Sequence, residues 1–242
     1  MRALPLHRLL AALLALLALC AANALAGEDD DLAPRLAACA ACHGKHGEGV
    51  RDAEYYPHLA GKPAGYLFEQ LKGFRDGRRD NAQMIWLVQF ADDAYLREIA
   101  EHYAAETPRT RAADTGAAAL TGARRAVAER LVEHGDPARG VPACIECHGK
   151  ALTGLEPGVP ALLGLPADYI VAQLGNWREG VRRGAPPDCM HDVAEAIAPE
   201  DIRAVATWLS QQSNERSERP APAGSFEPPK ACGSLPHAQT TP

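Results

Sequence analysis

Two cysteines separated by two residues and followed at once by a histidine occur twice in this chain. Cys39, Cys42 and His43 stand in CAACHG, and Cys144, Cys147 and His148 stand in CIECHG, 105 positions later. Cys-x-x-Cys-His is the attachment signature of c-type haem. On one helical turn both thiols lie on the same side and can reach the two vinyl groups of a single porphyrin. The adjoining imidazole then points at the iron as proximal ligand. A four-cysteine zinc ribbon also uses Cys-x2-Cys pairs. Its pairs lie much closer together in sequence, however, and nothing in a ribbon calls for histidine after both second cysteines. The motifs therefore predict two covalently bound haem c groups, attached at Cys39, Cys42, Cys144 and Cys147, with His43 and His148 on the irons.

The sixth iron ligand is the next requirement. Beyond residue 26 the chain has two methionines, Met84 and Met190, which follow His43 and His148 by 41 and 42 residues. A thioether favours ferrous iron and raises the reduction potential, which suits a one-electron carrier. Methionine also serves as ordinary core filler, but two methionines in register with two haem motifs predict axial ligation at Met84 and Met190. His191, beside Met190, competes for the role in the second unit. The first unit has no counterpart to it. His46, His58, His102 and His134 also lack matched partners and read as solvated or loop histidines.

These groups need helices to hold them. Leu32–Cys42 reads as an amphipathic helix carrying the first motif inward. Gly44–Pro63, rich in glycine, proline and charge, reads as a loop. Gly65–Asp76 returns to helical spacing with Tyr66, Leu67, Leu71 and Phe74 on one face, and Met84 follows in a polar stretch. Asp92–Ala105 closes the unit as a helix, with Asp92 or Asp93 near its N-cap and Leu96, Ile99 and Tyr103 as its apolar stripe. Ala123–His134 is helical and Gly135–Gly140 is a turn before CIECHG.

The second unit retraces the first. Tyr66, Gln70, Leu71, Phe74, Arg75, Gly77 and Arg79 are answered by Tyr169, Gln173, Leu174, Trp177, Arg178, Gly180 and Arg182. Pro57, Leu59 and Gly61 match Pro160, Leu162 and Gly164. In the last helix Leu96, Arg97 and Ile99 match Ile202, Arg203 and Val205. The offset drifts from 105 at the cysteines to 103 and then 106, as small loop changes inside a duplicated domain produce. A solenoid would repeat at a far shorter period. On this pattern Arg75 with Arg79, and Arg178 with Arg182, share a helix face at i and i+4. They either neutralise haem propionates across the domain interface or form a solvated charged surface.

The organisation that follows is a signal peptide at 1–26, a first domain at 27–108, a linker at 109–122, a second domain at 123–213 and a proline-rich tail at 214–242. Arg2 and Arg8, the apolar run Leu9–Ala22 and the small-x-small Ala24-Leu25-Ala26 make up the signal, and Cys20 is discarded with it. Export to the periplasm suits haem attachment and oxidised cysteines. Without Arg2 and Arg8, 23 basic residues face 31 acidic ones, a net charge of −8. That argues against nucleic acid as a partner and for redox proteins with basic or mixed docking surfaces. Two cysteines remain, Cys189 and Cys232. An even pair in an exported chain points to a disulfide, pinning the tail across the methionine side of the second haem. The alternatives are a free Cys189 with a loose tail, or Cys232 paired with another chain.

The two attachment motifs, Pro57-x-Leu59-Ala60-Gly61, Gly65-Tyr66-Leu67, Gln70-Leu71, Phe74-Arg75-x-Gly77 and the two methionines resemble the cytochrome c4 family. These are exported diheme carriers of two class I cytochrome c domains, and the resemblance covers roughly residues 30–212. It implies an all-α fold of two tandem domains about a pseudo-twofold axis, with haem propionates near their interface and Tyr66 and Tyr169 close to them. It also implies single-electron transfer between a quinol-oxidising complex and a terminal oxidase or other acceptor, and leaves peripheral membrane association open. A dedicated cytochrome subunit of a periplasmic dehydrogenase would read nearly the same. A diheme peroxidase would not, because it needs a releasable ligand and catalytic acid/base groups beside the iron. The long linker and the tail depart from the family pattern and bear on the partner.

Overall fold

The computed structural model describes residues 32–50, 56–108, 120, 122–213 and 219–235. The expected signal peptide and most of the expected linker lie outside these residues. Among them every regular element is a helix, apart from isolated backbone bridges. Helix α1 spans Leu32–His43, α2 Ala64–Arg75, α3 Ala82–Val88 and α4 Asp93–Ala105. The second half runs α5 Gly122–Glu133, α6 Cys144–His148, α7 Ala167–Arg178, α8 Cys189–Ala196 and α9 Pro199–Ser210. The fold is thus all-α, as the repeat predicts, with α2, α3 and α4 answered by α7, α8 and α9.

Each half closes by packing its last helix on the helix that follows the haem loop. In the first, α4 lies against α2. Asp92 caps α4 by accepting from Tyr95 N at 2.8 Å, and Leu96, Ile99, Ala100 and Tyr103 are buried along one stripe. Spacing of i, i+3, i+4 and i+7 from Leu96 brings those side chains to one side of the helix. On α2 the buried residues are Leu67, Phe68 and Phe74. Phe68 takes a core position beside the expected Leu67 and Phe74, while Tyr66 and Leu71 are half-buried. In the second half α9 packs on both α5 and α7. Ile202, Val205 and Leu209 meet Leu131, Val132, Ile170 and Leu174 in one apolar cluster.

A short helix, α3, replaces the polar stretch expected around Met84, and α8 carries Met190 in the same way. Each starts at a side-chain cap: Asn81 Oδ1 accepts from Met84 N at 3.0 Å, and Asp188 Oδ1 accepts from His191 N at 3.2 Å. Such a cap satisfies one of the unpaired amides at a helix start. The second attachment motif also differs from the first. Cys39, Cys42 and His43 end a continuous helix, whereas Cys144–His148 is one separate turn after the Gly135–Gly140 reversal.

Arg75 and Arg79 do not share a helix face, and neither do Arg178 and Arg182. Helices α2 and α7 stop at Arg75 and Arg178, and the chain reverses at Gly77 and Gly180, both at φ +70°. Nothing crowds either glycine, so the requirement there is the left-handed backbone, which other residues adopt at a cost. Arg75 turns to its own domain, donating to Ala91 O at 3.1 Å and Asp93 Oδ1 at 2.7 Å. Arg178 donates to the carbonyls of Ala194, Glu195 and Ile197. These two arginines fasten the closing segment of each unit.

The tail at 219–235 has no helix and lies along the second half as a strap. Arg219 donates to Ala104 O and Ala105 O at 3.0 Å each, meeting carbonyls left open at the end of α4. Ala221 exchanges hydrogen bonds with Gly154 and Glu156, and Phe226 lies beside Gly149. Lys230 Nζ is 3.0 Å from Asp192, Cys232 is joined to Cys189, and Gly233 N donates to Pro187 O.

Two outcomes test this description. Replacing Cys189 and Cys232 together by serine is expected to lower stability by about 2–4 kcal/mol in urea unfolding and to speed hydrogen exchange across 219–235. Arg75 holds the Asp93 carboxyl below its usual range, so that ion pair contributes above the ordinary carboxylate pKa and is lost as pH falls through the lowered value. Asp93→Asn is therefore expected to lower the melting temperature at neutral pH and to match the wild type in strong acid.

Candidate functional site

The two attachment motifs present their histidines in the same way. His43 Nδ1 is 2.8 Å from Pro57 O, and His148 Nδ1 is 2.8 Å from Pro160 O. Both imidazoles are buried, and burial depresses their pKa despite the carbonyl contact. Each ring is therefore a neutral tautomer that donates from Nδ1 and leaves Nε2 as a lone-pair ligand, the arrangement an iron-binding histidine needs. The matched Pro57 and Pro160 of the repeat are what orient the rings.

Burial pushes Cys39 up, Cys144 up to about 12 and Cys147 up to about 11. Zinc requires thiolates in one cluster, and among the described residues no group of three or more His, Cys, Asp or Glu converges as metal donors would. The two Cys-x2-Cys pairs stay apart, each beside its own histidine.

Met84 lies in the first turn of α3 and is half-buried; Met190 lies in the first turn of α8 and packs against the second core. His191 is turned elsewhere: its Nδ1 contacts Trp177 O at 3.0 Å and its Nε2 is 3.7 Å from Glu195. Its Nδ1 is thus held by a backbone carbonyl of α7. His46 and His102 both approach Glu106, and His134 is exposed.

Between the halves the repeat forms a cluster that was not legible in the spacing. Arg79 donates to Gln70 Oε1 at 3.0 Å and to Gln173 Oε1 at 2.9 Å. Arg182 donates to Gln173 Oε1 and to Gln70 Oε1, both at 2.7 Å. Each arginine thus holds one glutamine of its own domain and one of the other. Arg79 and Arg182 also form an antiparallel backbone bridge, and Arg183 N donates to Arg78 O at 2.7 Å. The Arg79 guanidinium stacks over Phe74 at 4.3 Å and Arg182 over Trp177 at 3.7 Å. Tyr66 OH accepts from Arg182 at 3.4 Å, and Tyr169 pairs with Arg79.

The charge in this cluster is one-sided. Arg182 is 5% exposed and Lys62, beside it, 6%. Burial pulls the Lys62 ammonium below its usual range; burial and then Arg182 bring Arg79 down to about 10. Burial alone would raise the Tyr66 phenol, but Arg182, Arg79 and Lys62 outweigh it and lower the group. Among the described residues none of these three cations has a carboxylate partner within ion-pair distance. The buried Trp177 Nε1 has no acceptor at all. Two buried cations, a half-buried third and an orphaned donor call for an anion. Haem carries two carboxylates, so the interface fits that group as well as the cysteines and histidines do. Lys62, Gln70 and Gln173 were not among the expected site residues; the pairing of Gln70 with Gln173 in the repeat was the available signal.

Comparison with known proteins agrees with this geometry. The family described as Cytochrome c matches residues 33–106. The chain is 42% identical over 181 residues to the thiosulfate dehydrogenase electron acceptor of Thiomonas intermedia, covering 74% of this chain and 80% of that protein. It is 31% identical over 205 residues to cytochrome c4 of Pseudomonas aeruginosa, covering 84% and 98%. The reduced cytochrome c4 of Pseudomonas stutzeri superposes with a TM-score of 0.62 at 28% identity, over 74% of this chain and 95% of that one. The chain belongs to the cytochrome c4 family: two tandem cytochrome c domains, two covalently bound haem c groups and an electron-transfer role.

The shared glutamines give a direct test. Gln173→Leu removes an acceptor from two interface arginines and is expected to cost about 1–3 kcal/mol in chemical unfolding. Gln173→Glu keeps both acceptors and is expected to hold stability. Equal stability of the leucine variant and the wild type would show that the cluster is solvated.

Proposed function

We infer that each haem is held by one matched ligand set, Cys39, Cys42, His43 and Met84 in the first domain and Cys144, Cys147, His148 and Met190 in the second. When bound, haem supplies a one-electron ferric–ferrous couple at each site. The chain's own residues orient His43 and His148 through Pro57 and Pro160, place a methionine at the start of a capped helix, and surround the interface with Lys62, Arg79 and Arg182. Those cations, with Tyr66 and Tyr169, are proposed to receive the propionates. Cations near a haem favour the ferrous state, in the same sense as thioether ligation.

The working role is that of a periplasmic diheme carrier, reached through the signal at 1–26, which accepts electrons from a sulfur-compound dehydrogenase and passes them to the respiratory chain. The observation that carries the donor is the 42% identity to a protein named as the electron acceptor of thiosulfate dehydrogenase. The same observation favours a second arrangement, a stable subunit of such a dehydrogenase. Affinity purification from native periplasm separates the two: a stoichiometric dehydrogenase partner marks a subunit, and its absence a free carrier.

The ligand assignment has its own outcomes. The mature protein is expected to carry two haems by mass, and its ferric spectrum to show the weak sulfur-to-iron band. Met84→His and Met190→His are each expected to lower the potential of one haem, because imidazole stabilises ferric iron better than thioether. Lys62→Met is expected to lower potentials through loss of a buried positive charge. A Met190→His protein with unchanged potentials, alongside a shift in His191→Ala, would transfer the ligand role to His191.

A further inference from the structure

The helix that carries Met84 also begins the most exposed apolar surface among the described residues. Trp86 is 72% exposed and Phe90, two residues past its end, 94%, with Leu87 at 37% between them. The residue of α3 that turns inward is Val88. Large apolar side chains held together in water mark a contact surface, since isolated burial elsewhere would otherwise have claimed them.

The repeat supplies an internal comparison. In the register that aligns Met84 with Met190, Trp86, Leu87 and Phe90 are answered by Asp192, Val193 and Ala196. There the strap is attached. Lys230 of the strap pairs with Asp192, Cys232 is joined to Cys189, and Val193 and Ala196 pack against the second core. The Lys230 charge also reaches Cys147, so the strap passes the second attachment motif as well. The two domains, built on one plan, therefore differ here: α3 presents bare apolar side chains, while α8 is more polar and carries the strap.

Charge selects the occupant. The segment Asp80–Asp93 contains three aspartates and no lysine or arginine. Asp93 is tied to Arg75 and Lys72, whereas among the described residues Asp80 and Asp92, at the two ends of the patch, have no cation in ion-pair range. An apolar centre with unneutralised carboxylates at its margin complements an apolar area ringed by basic side chains.

We propose that Trp86, Leu87 and Phe90 form the docking face on which a redox protein with a lysine- or arginine-ringed apolar contact area exchanges electrons with the first haem, while the strapped second domain is closed to it. The proposal rests on the electron-carrier reading above. Each encounter moves one electron: the partner's reduced cofactor is oxidised by one equivalent as the first iron goes from ferric to ferrous, and the reverse holds for an acceptor. Trp86 stands two residues from Met84, so a partner seated there lies within a helical turn of the first ligand set.

The test uses the full-length diheme protein and two probes, a lysine-rimmed mitochondrial cytochrome c and ascorbate. For Trp86→Ser/Phe90→Ser, the exchange rate with the cytochrome and its affinity by surface plasmon resonance are both expected to fall about tenfold. The wild-type rate is expected to fall with added salt, while the visible spectrum and the ascorbate rate of the variant stay at wild-type values. Freeing the strap with Cys189→Ser, Cys232→Ser and Lys230→Glu is expected to open a second route that the serine pair at 86 and 90 no longer suppresses. No gain from that variant overturns the closure of the second domain. Equal rates and affinities for the wild type and the 86/90 variant overturn the docking face. So does wild-type self-association that the 86/90 variant abolishes, which would give the patch to a second copy of this chain. A wild type that exchanges electrons with neither probe overturns the carrier reading itself.

Discussion

Arg79 and Arg182 lie side by side, one half-buried and the other buried, and the pairing of the two domains turns on how that is tolerated. Two guanidiniums repel one another, and each loses water on burial. The interface answers with two amide oxygens, each accepting from both arginines, with the faces of Phe74 and Trp177, and with the phenols of Tyr66 and Tyr169. None of these neutralises charge. With Lys62 added, the cluster gathers three cations that have no carboxylate partner among the described residues.

The cluster is also why the duplication matters. Apart from Lys62, every group in it occurs as a matched pair, one from each repeat, and neither domain alone offers an arginine both glutamines. Gly77 and Gly180 are part of the same device. By reversing the chain in the left-handed region they end α2 and α7 and send Arg79 and Arg182 across the interface, leaving Arg75 and Arg178 to bind their own closing segments.

The two halves have diverged around this shared centre. The first carries its attachment motif on a continuous helix and leaves its ligand helix bare at Trp86 and Phe90. The second carries the motif on a separate turn and lies under a strap bound by Arg219, Lys230 and Cys232. Two matched attachment motifs thus sit in unlike surroundings.

What the residues alone determined is the local and periodic part of the protein. Cys-x-x-Cys-His is a covalent and coordination requirement fulfilled within one helical turn, so both motifs could be recognised without knowing what packs around them. The stripe Leu96, Ile99, Tyr103 and the cap at Asp92 follow from the helical repeat and from one side-chain hydrogen bond. The repeat paired Pro57 with Pro160 and Gln70 with Gln173, yet it could not say what those residues touch. Only the tertiary structure decided that the prolines orient the histidines, that the glutamines are shared by arginines beyond the helix ends, and that α3 and α8 are helices seeded by Asn81 and Asp188. It also decided the course of the tail, whose sequence lacks an apolar period and is held by contacts to residues 38 to 115 positions away. Short-range chemistry leaves its mark in spacing. Contacts between distant segments depend on which surfaces the fold brings together, and a linear spacing carries no record of that.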